Sequence, residues 1–172
     1  MKRTDINPLP EFFDRYINLT DDTELSDALQ VSLQEVGFFA LDTLKTLGDK
    51  VHAEGKWTAK DILQHLIDTE RIFCYRALCF ARAETTQLPS FDEADYAINA
   101  NASGRSFEDL LTELKAVRRA TIALFASFSD EALLNTGLSF KGSYSVLSIG
   151  FILVGHQRWH LKVLQERYFV LL

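Results

Sequence analysis

Apolar residues recur at intervals of three and four positions along four long stretches of the sequence, which is the period of an amphipathic α-helix. The predicted helices cover roughly residues 24–47, 59–82, 107–128 and 145–168. Proline breaks helix interiors, and none of the three prolines falls inside these stretches. Strand signals are scarce, because no repeated alternation of polar and apolar residues is bounded by hairpin turns. The pattern therefore predicts an all-α fold, an antiparallel four-helix bundle.

Capping residues mark where several of these helices begin and end. Thr58 and Asp61 have the spacing of a capping box at the start of the second helix, and Ser106 and Asp109 repeat it at the start of the third. The first helix is predicted as one continuous segment that stops at Gly48. Shorter helices are predicted over residues 11–18 and 130–134.

Composition and charge narrow the classes of protein that fit this bundle. The 172 residues are 47% hydrophobic and 24% charged, as in an ordinary globular domain. The net charge of −6 argues against a duplex nucleic-acid binder and against a polybasic membrane anchor. The most apolar run, residues 146–154, is about half of the ~20 residues that a membrane span requires, and we expect no signal peptide. Cys74 and Cys79 would lie about 140° apart on a helix, so we interpret them as reduced thiols of a cytoplasmic protein.

The four histidines, His52, His65, His156 and His160, are the candidates for metal chemistry. His156 and His160 are four residues apart, so their side chains share one face of the fourth helix. His65 lies on the inward face of the second helix. A histidine in such a place is often only a hydrogen-bonded core residue, but burying three unpaired imidazoles is costly, and one divalent ion would satisfy all three lone pairs. We predict that these three bind a metal, and that His52 is an exposed loop residue.

Two segments around these histidines form a pattern: WTAKDILQHLID, residues 57–68, and GHQRWHL, residues 155–161. The pattern resembles the DinB-like, or YfiT-like, superfamily of metal-dependent enzymes, and the likeness extends from about residue 23 to 168. It implies a single bundle domain over residues 1–172 that holds a divalent ion through His65, His156 and His160. Many members have a further histidine just before the last ligand, where this chain has Trp159. We expect metal binding to be retained despite this difference. A proton-shuttling role of that further histidine would be lost.

Three neutral imidazoles would leave coordination positions free for water or substrate, as in a catalytic site. Zinc or nickel is the expected ion, with iron and cobalt as alternatives that imidazole also suits. The open position could serve hydrolysis or take a low-molecular-weight thiol. Family members implicated in bacillithiol or mycothiol transfer make a thiol-dependent transferase a candidate beside a hydrolase. The other classes left open are a metal-stabilised stress-response or interaction bundle without turnover and a helical interaction domain with structural histidines.

Charged residues outside the histidines are candidates for supporting roles. Asp92 and Glu93 lie in the long connection over about residues 83–104, a length that tends to be functional. They could act as general base or orient a ligand, or they could be a solvated acidic pair or a helix N-cap. Asp68 could hydrogen-bond a ligand or face solvent. Arg76, eleven residues after His65, could meet an anionic substrate or form a salt bridge with a bundle carboxylate.

Expectations about partners follow from the resemblance and from composition. We expect a small-molecule substrate, no nucleic acid and no membrane. A homodimer is expected from the resemblance. Four phenylalanines give the chain a surplus of apolar side chains that is compatible with a homodimer: Phe12, Phe13, Phe38 and Phe39.

Overall fold

Helices make up most of the chain in the computed structural model, which describes residues 1–139 and 142–172. The helices are α1 (Asp14–Ile17), α2 (Leu25–Glu35), α3 (Leu41–Leu47), α4 (Ala59–Ala81), α5 (Glu93–Ala100), α6 (Phe107–Ala126), α7 (Asp130–Leu134) and α8 (Val146–Val163). Short strands β1 (Thr136–Ser139) and β2 (Gly142–Ser145) lie between α7 and α8. The α8 axis continues through a π-helical turn, Leu164–Tyr168.

Helices α2, α4, α6 and α8 form the bundle. Helix α4 packs against α6 and α8, and α2 packs against the same two helices. The core between them consists of two clusters of buried apolar side chains, one of which adjoins α1 and the hairpin and the other α3. The prediction of an all-α four-helix bundle is confirmed. No helix in the described residues is long and apolar enough to cross a membrane.

The start of α4 is fixed by reciprocal capping, as the sequence predicts. The Thr58 hydroxyl accepts a hydrogen bond from the Asp61 backbone N–H at 3.2 Å, and the Asp61 carboxylate accepts one from the Thr58 N–H at 2.9 Å. At the start of α6, the Ser106 hydroxyl accepts from the Asp109 N–H at 3.1 Å. Because the cap sets the first residue of α4, it also sets which residues of that helix face the bundle interior.

The first predicted helix, over residues 24–47, is not continuous in the structure. Helix α2 ends at Glu35, Val36–Phe39 forms a 3-10 turn, and Ala40 takes a left-handed φ of 52° before α3 begins. Gly37 has a low helix propensity, and the turn still buries the side chains of Val36 and Phe39. The apolar period therefore runs on through the break, which is why the sequence pattern did not reveal it.

The two strands are a second correction, because no strand was predicted. Thr136 pairs with Ser145 and Gly137 with Tyr144 in an antiparallel hairpin. Strands of four residues are too short to show a repeated alternation. Gly137 lies against α4: a Cβ atom there would lie 2.0 Å from the nearest atom of the Phe80 ring. The hairpin therefore packs its backbone directly on the bundle.

Other predicted segments differ in detail. The helix predicted over 11–18 is the shorter α1, whereas the one predicted over 130–134 coincides with α7. The long connection between α4 and α6 contains α5 and a 3-10 turn, Ala102–Gly104. The four phenylalanines do not form one exposed surface, because Phe13 and Phe39 are buried in the core, Phe12 is partly buried and Phe38 is 62% exposed.

Candidate metal centre

The rings of His65, His156 and His160 meet between α4 and α8. Nε2 of His156 lies 3.1 Å from Nε2 of His65 and 3.1 Å from Nε2 of His160. One ring nitrogen from each histidine can be chosen so that all three lie within 4.8 Å of one another. The three histidines singled out by their spacing are therefore close enough to share one ion.

The two separations between His156 and its histidine neighbours fit a shared metal ion better than hydrogen bonding alone. Two nitrogens bound tetrahedrally at about 2.05 Å would lie about 3.3 Å apart, close to the observed 3.1 Å. One ring nitrogen has one in-plane position, either an N–H or a lone pair, yet Nε2 of His156 has two nitrogen neighbours. Nδ1 of His160 is buried with no hydrogen-bond partner among the described residues. The donor set thus suits a divalent metal ion.

Burial keeps these imidazoles in the neutral form that binds metals. It lowers the pKa of His65 to about 4 and is the main cause that lowers the pKa of His160 to about 3. The pKa of His156 is lowered well below its ordinary value, mainly by burial. A second cause is the repulsion that protonated forms of its two histidine neighbours would exert on a protonated His156. At neutral pH the three rings are uncharged, and their lone pairs are free to coordinate.

Thr69 orients the His65 ring. Its hydroxyl lies 3.3 Å from Nδ1 of His65, one helical turn away on α4. A hydrogen bond at Nδ1 leaves Nε2 directed at the other histidines, as partners of metal-binding histidines commonly do. The i, i+4 spacing could have revealed Thr69, which the sequence analysis did not select. Asp68, which it did consider, instead accepts a hydrogen bond from the Gln64 amide at 2.9 Å.

The residues between His156 and His160 fix the rotation of α8 about its own axis. The Gln157 side-chain amide donates to the Ser32 carbonyl oxygen at 2.7 Å. The Arg158 guanidinium donates to the Glu35 carboxylate, with the shortest contact at 2.8 Å, and to the Leu19 carbonyl at 2.9 Å. These bonds tie one face of α8 to α2 and the segment before it. The two histidines are thereby directed at α4.

Helix α1 places the aromatic side chain of Tyr16 beside the histidine cluster. The sequence analysis did not select this residue. The Tyr16 ring packs edge-on against His156, with 5.0 Å between ring centroids, and against Trp159 at 5.9 Å. Trp57 also lies beside the cluster, with 4.8 Å between its ring centroid and that of His65. Tyr16 reaches this position because α1 touches α8 at Gly155. A four-residue helix is too short to show a period of apolar positions, so the sequence could not have revealed the contact between Tyr16 and His156.

Replacing Gly155 by alanine should destabilise the fold, since the added Cβ would lie 1.9 Å from the Tyr16 carbonyl oxygen. That oxygen is backbone and can yield only if α1 moves. We expect a net loss of about 1–3 kcal/mol in the free energy of unfolding, even though alanine favours a helix by about 1 kcal/mol. Urea denaturation measures this change in the free energy of unfolding. Gly37→Ala is the control, because nothing lies within 4 Å of a Cβ added at Gly37. Equal stability of the two variants would contradict the close contact.

A cavity of about 380 Å³ opens beside His156. Its aromatic wall consists of five side chains: Phe12, Phe13, Tyr16, Phe73 and Phe91. The polar residues on its wall include Thr69, Arg76, Asp92 and Glu93. A concave, mainly apolar space with a few polar groups beside candidate ligands is the usual form of a small-molecule site.

The two candidate carboxylates have different positions on this wall. Asp92 is the N-cap of α5, where its Oδ1 accepts hydrogen bonds from the N–H groups of Ala94 at 2.9 Å and Asp95 at 3.0 Å. The capping alternative considered for Asp92 is therefore present in the structure. Glu93, the first residue of α5, is exposed and lines the same cavity as His156.

His52 is not the exposed loop residue that was predicted. It is half-buried, with its ring 4.8 Å from the Tyr168 ring, and its Nδ1 has no hydrogen-bond partner among the described residues. It lies outside the group of three histidines that could share an ion.

The class of protein follows from a comparison with known families. The sequence model of the DinB superfamily matches residues 39–164, which is more than half of the chain. The chain therefore belongs to the DinB superfamily, as the resemblance indicated.

Among solved structures, the fold is similar to that of YfiT from Bacillus subtilis, described as a probable metal-dependent hydrolase with an unusual four-helix bundle topology. The TM-score is 0.67 at 18% sequence identity, over 91% of this chain and 85% of that chain. At this identity the likeness confirms the fold. A comparison with functionally curated proteins gives no match.

Proposed function

We propose that this protein is a mononuclear metal-dependent hydrolase whose ion is held by His65, His156 and His160. The observation that carries the proposal is the meeting of three neutral, largely buried imidazoles beside an open cavity. A bound divalent ion, zinc or nickel first and iron or cobalt as alternatives, would supply a Lewis acid with coordination positions left free for water or substrate.

The chain's own residues supply the other functions that hydrolysis needs. Glu93 is the better placed candidate for general base, because Asp92 already caps α5. The Tyr16 hydroxyl accepts a hydrogen bond from the Arg15 guanidinium at 3.0 Å, and burial raises its pKa. It therefore keeps its own proton and can donate a hydrogen bond to negative charge that develops on the substrate. The aromatic wall of the cavity can pack against an apolar part of the substrate.

Thiol-dependent transfer is the alternative that the family resemblance suggests. A transferase must hold a low-molecular-weight thiol and an electrophile together, and a cavity of about 380 Å³ is near the lower end of the range for a single ligand. This size favours one small substrate and water, which is why hydrolysis is proposed first. A metal-stabilised bundle without turnover is the non-enzymatic alternative.

A reconstitution assay tests the proposed hydrolysis. Protein purified without a histidine tag is stripped with a chelator, reloaded with zinc or nickel, and assayed on 4-nitrophenyl esters with and without a small thiol. We expect turnover that requires the metal, needs no thiol, is lost in His156→Ala and falls at least tenfold in Glu93→Gln. Turnover only with thiol would establish the transferase, and bound metal without any turnover would leave the non-enzymatic bundle.

Three further proposals concern the whole molecule. We propose that residues 1–172 form one domain, that two copies form a homodimer and that the protein works in the cytoplasm on a small molecule. The domain is supported by the bundle packing, and the dimer by the family resemblance. The net charge of −6 supports the expectation of no nucleic-acid partner.

A further inference from the structure

Arg76 is a buried cation on the wall of the cavity. It lies on α4, its side chain is 2% exposed, and it lines the same space as His156. Removing a guanidinium from water is costly unless a negative group or several hydrogen bonds replace the lost solvation. The partners of Arg76 therefore decide what this residue is for.

The protein itself satisfies little of the Arg76 guanidinium. Its Nη2 donates one hydrogen bond, to the Pro89 carbonyl oxygen at 2.9 Å. Its carbon atom Cζ lies 5.0 Å from the centre of the Phe73 ring and 5.8 Å from that of Phe91. A guanidinium has five N–H donors. Within residues 1–139 and 142–172, no other hydrogen bond and no ion pair from Arg76 is present.

Three other arginines of the bundle helices have carboxylate partners, and the contrast with the equally buried Arg118 sets Arg76 apart. Arg118, the other fully buried arginine, donates to both carboxylate oxygens of Glu70 at 2.7 and 2.9 Å. Arg158 pairs with Glu35, and Arg71 pairs with Glu113. Arg76 has the burial of Arg118 without such a partner, and its free donors line a cavity.

We propose that Arg76 binds the carboxylate of the substrate, and that the substrate class is small carboxylic acids with an aromatic or other apolar body. A planar guanidinium matches a carboxylate in a two-pronged hydrogen bond. The flanking Phe73 and Phe91 rings exclude water around that bond and pack on the apolar body. A phosphate dianion would meet stronger repulsion from Asp92 and Glu93 on the same wall, so the monoanion is favoured.

The dimensions of the site agree with this class. Arg76 lies eleven positions after His65 along α4, which is about 16 Å between Cα atoms at 1.5 Å per position. Both side chains can shorten that gap. A cavity of about 380 Å³ holds roughly a dozen water-sized groups at about 30 Å³ each. A substrate of that size can hold its carboxylate at Arg76 while its reacting bond lies near the histidines. The position given to the reacting bond rests on the proposed function. Carboxylate binding can be measured whether or not the protein is a hydrolase.

Isothermal titration calorimetry on the zinc-loaded protein tests the assignment with 3-phenylpropanoate and its uncharged analogue 3-phenylpropanamide. We expect the acid to bind at least tenfold more tightly than the amide. Arg76→Met should weaken binding of the acid by about 10- to 100-fold and leave the amide unchanged, while Arg76→Lys keeps part of the preference. Arg71→Met, the same change on the same helix at a residue outside the cavity, should bind both as the wild type does.

With the zinc-loaded protein, either of two results would overturn the assignment: equal binding of acid and amide by the wild type, or unchanged binding of the acid in Arg76→Met. If Arg76→Met does not fold, the wild-type comparison and Arg76→Lys still decide it. Carboxylates also bind metal ions directly, so the titration is repeated after chelation, where the preference for the acid should persist; a preference that vanishes would place the acid on the metal instead. Failure of the proposed hydrolysis would appear separately, as absent turnover with the Arg76-dependent preference retained.

Discussion

His156→Ala should reduce the metal content of the protein from about one divalent ion per chain to nearly none, while its helical content stays that of the wild type. His156 is the central member of the cluster, since its Nε2 lies 3.1 Å from the Nε2 atoms of both other histidines. Loss of even an outer hydrogen-bond partner costs about 10- to 100-fold in metal affinity, and loss of a ligand costs more. His160→Ala should behave in the same way. Elemental analysis of untagged protein and far-ultraviolet circular dichroism measure the two quantities.

The chain contains its own control for this experiment. His52 is the remaining histidine, half-buried against Tyr168 and outside the cluster. His52→Ala removes the same chemical group and should retain the metal in full. Stoichiometric metal in both His156→Ala and His160→Ala would refute the assignment of the ligands.

Glu70→Gln should lower the free energy of unfolding by about 3–5 kcal/mol, the usual cost of breaking a buried ion pair from one side. The Glu70 carboxylate accepts two hydrogen bonds from Arg118, at 2.7 and 2.9 Å, and one from the Thr121 hydroxyl at 2.6 Å. Arg118 is 1% exposed and also donates to the Ser32 hydroxyl and, at 3.4 Å, to the Leu153 carbonyl. These contacts join all four bundle helices. The substitution keeps the shape of the side chain but leaves the guanidinium without its counter-charge.

A surface pair provides the matched comparison. Lys45 and Glu108 form an ion pair in which both side chains are about half exposed. Because solvent screens this pair, Glu108→Gln should lower the free energy of unfolding far less than Glu70→Gln. Urea denaturation of both variants measures the difference, and a Glu70→Gln variant as stable as Glu108→Gln would show that the buried pair does not hold the bundle together.

The parts of the fold that could be predicted from sequence are those that local patterns encode. The capping box of Thr58 and Asp61 fixed the start of α4, and the period of apolar residues located the long helices. The i, i+4 spacing of His156 and His160 placed two imidazoles on one face. Their proximity to His65 followed because two helices that bury their apolar faces in one bundle bring their inward residues together.

The parts that could not be predicted depend on contacts between distant residues. The apolar period alone does not distinguish a continuous helix from one interrupted by a 3-10 turn and a left-handed Ala40. Tyr16 reaches His156 only because α1 lies against Gly155, a contact between elements far apart in the sequence. The burial of Arg118 with Glu70 was missed for a related reason, since a charged residue on an apolar face is read as exposed until its partner on another helix is known.

X-ray absorption spectroscopy at the metal edge of the zinc-loaded protein tests the central claim most directly. The account predicts one ion per chain with three imidazole nitrogens at about 2.0–2.1 Å and one or more oxygen ligands completing the sphere. The absorption edge of protein-bound zinc should be nearly lost in His156→Ala, which should hold almost no metal, and both the edge and the imidazole signal should stay unchanged in His52→Ala. A spectrum with sulfur or only oxygen ligands, or one that His156→Ala leaves unchanged, would contradict the three-histidine site.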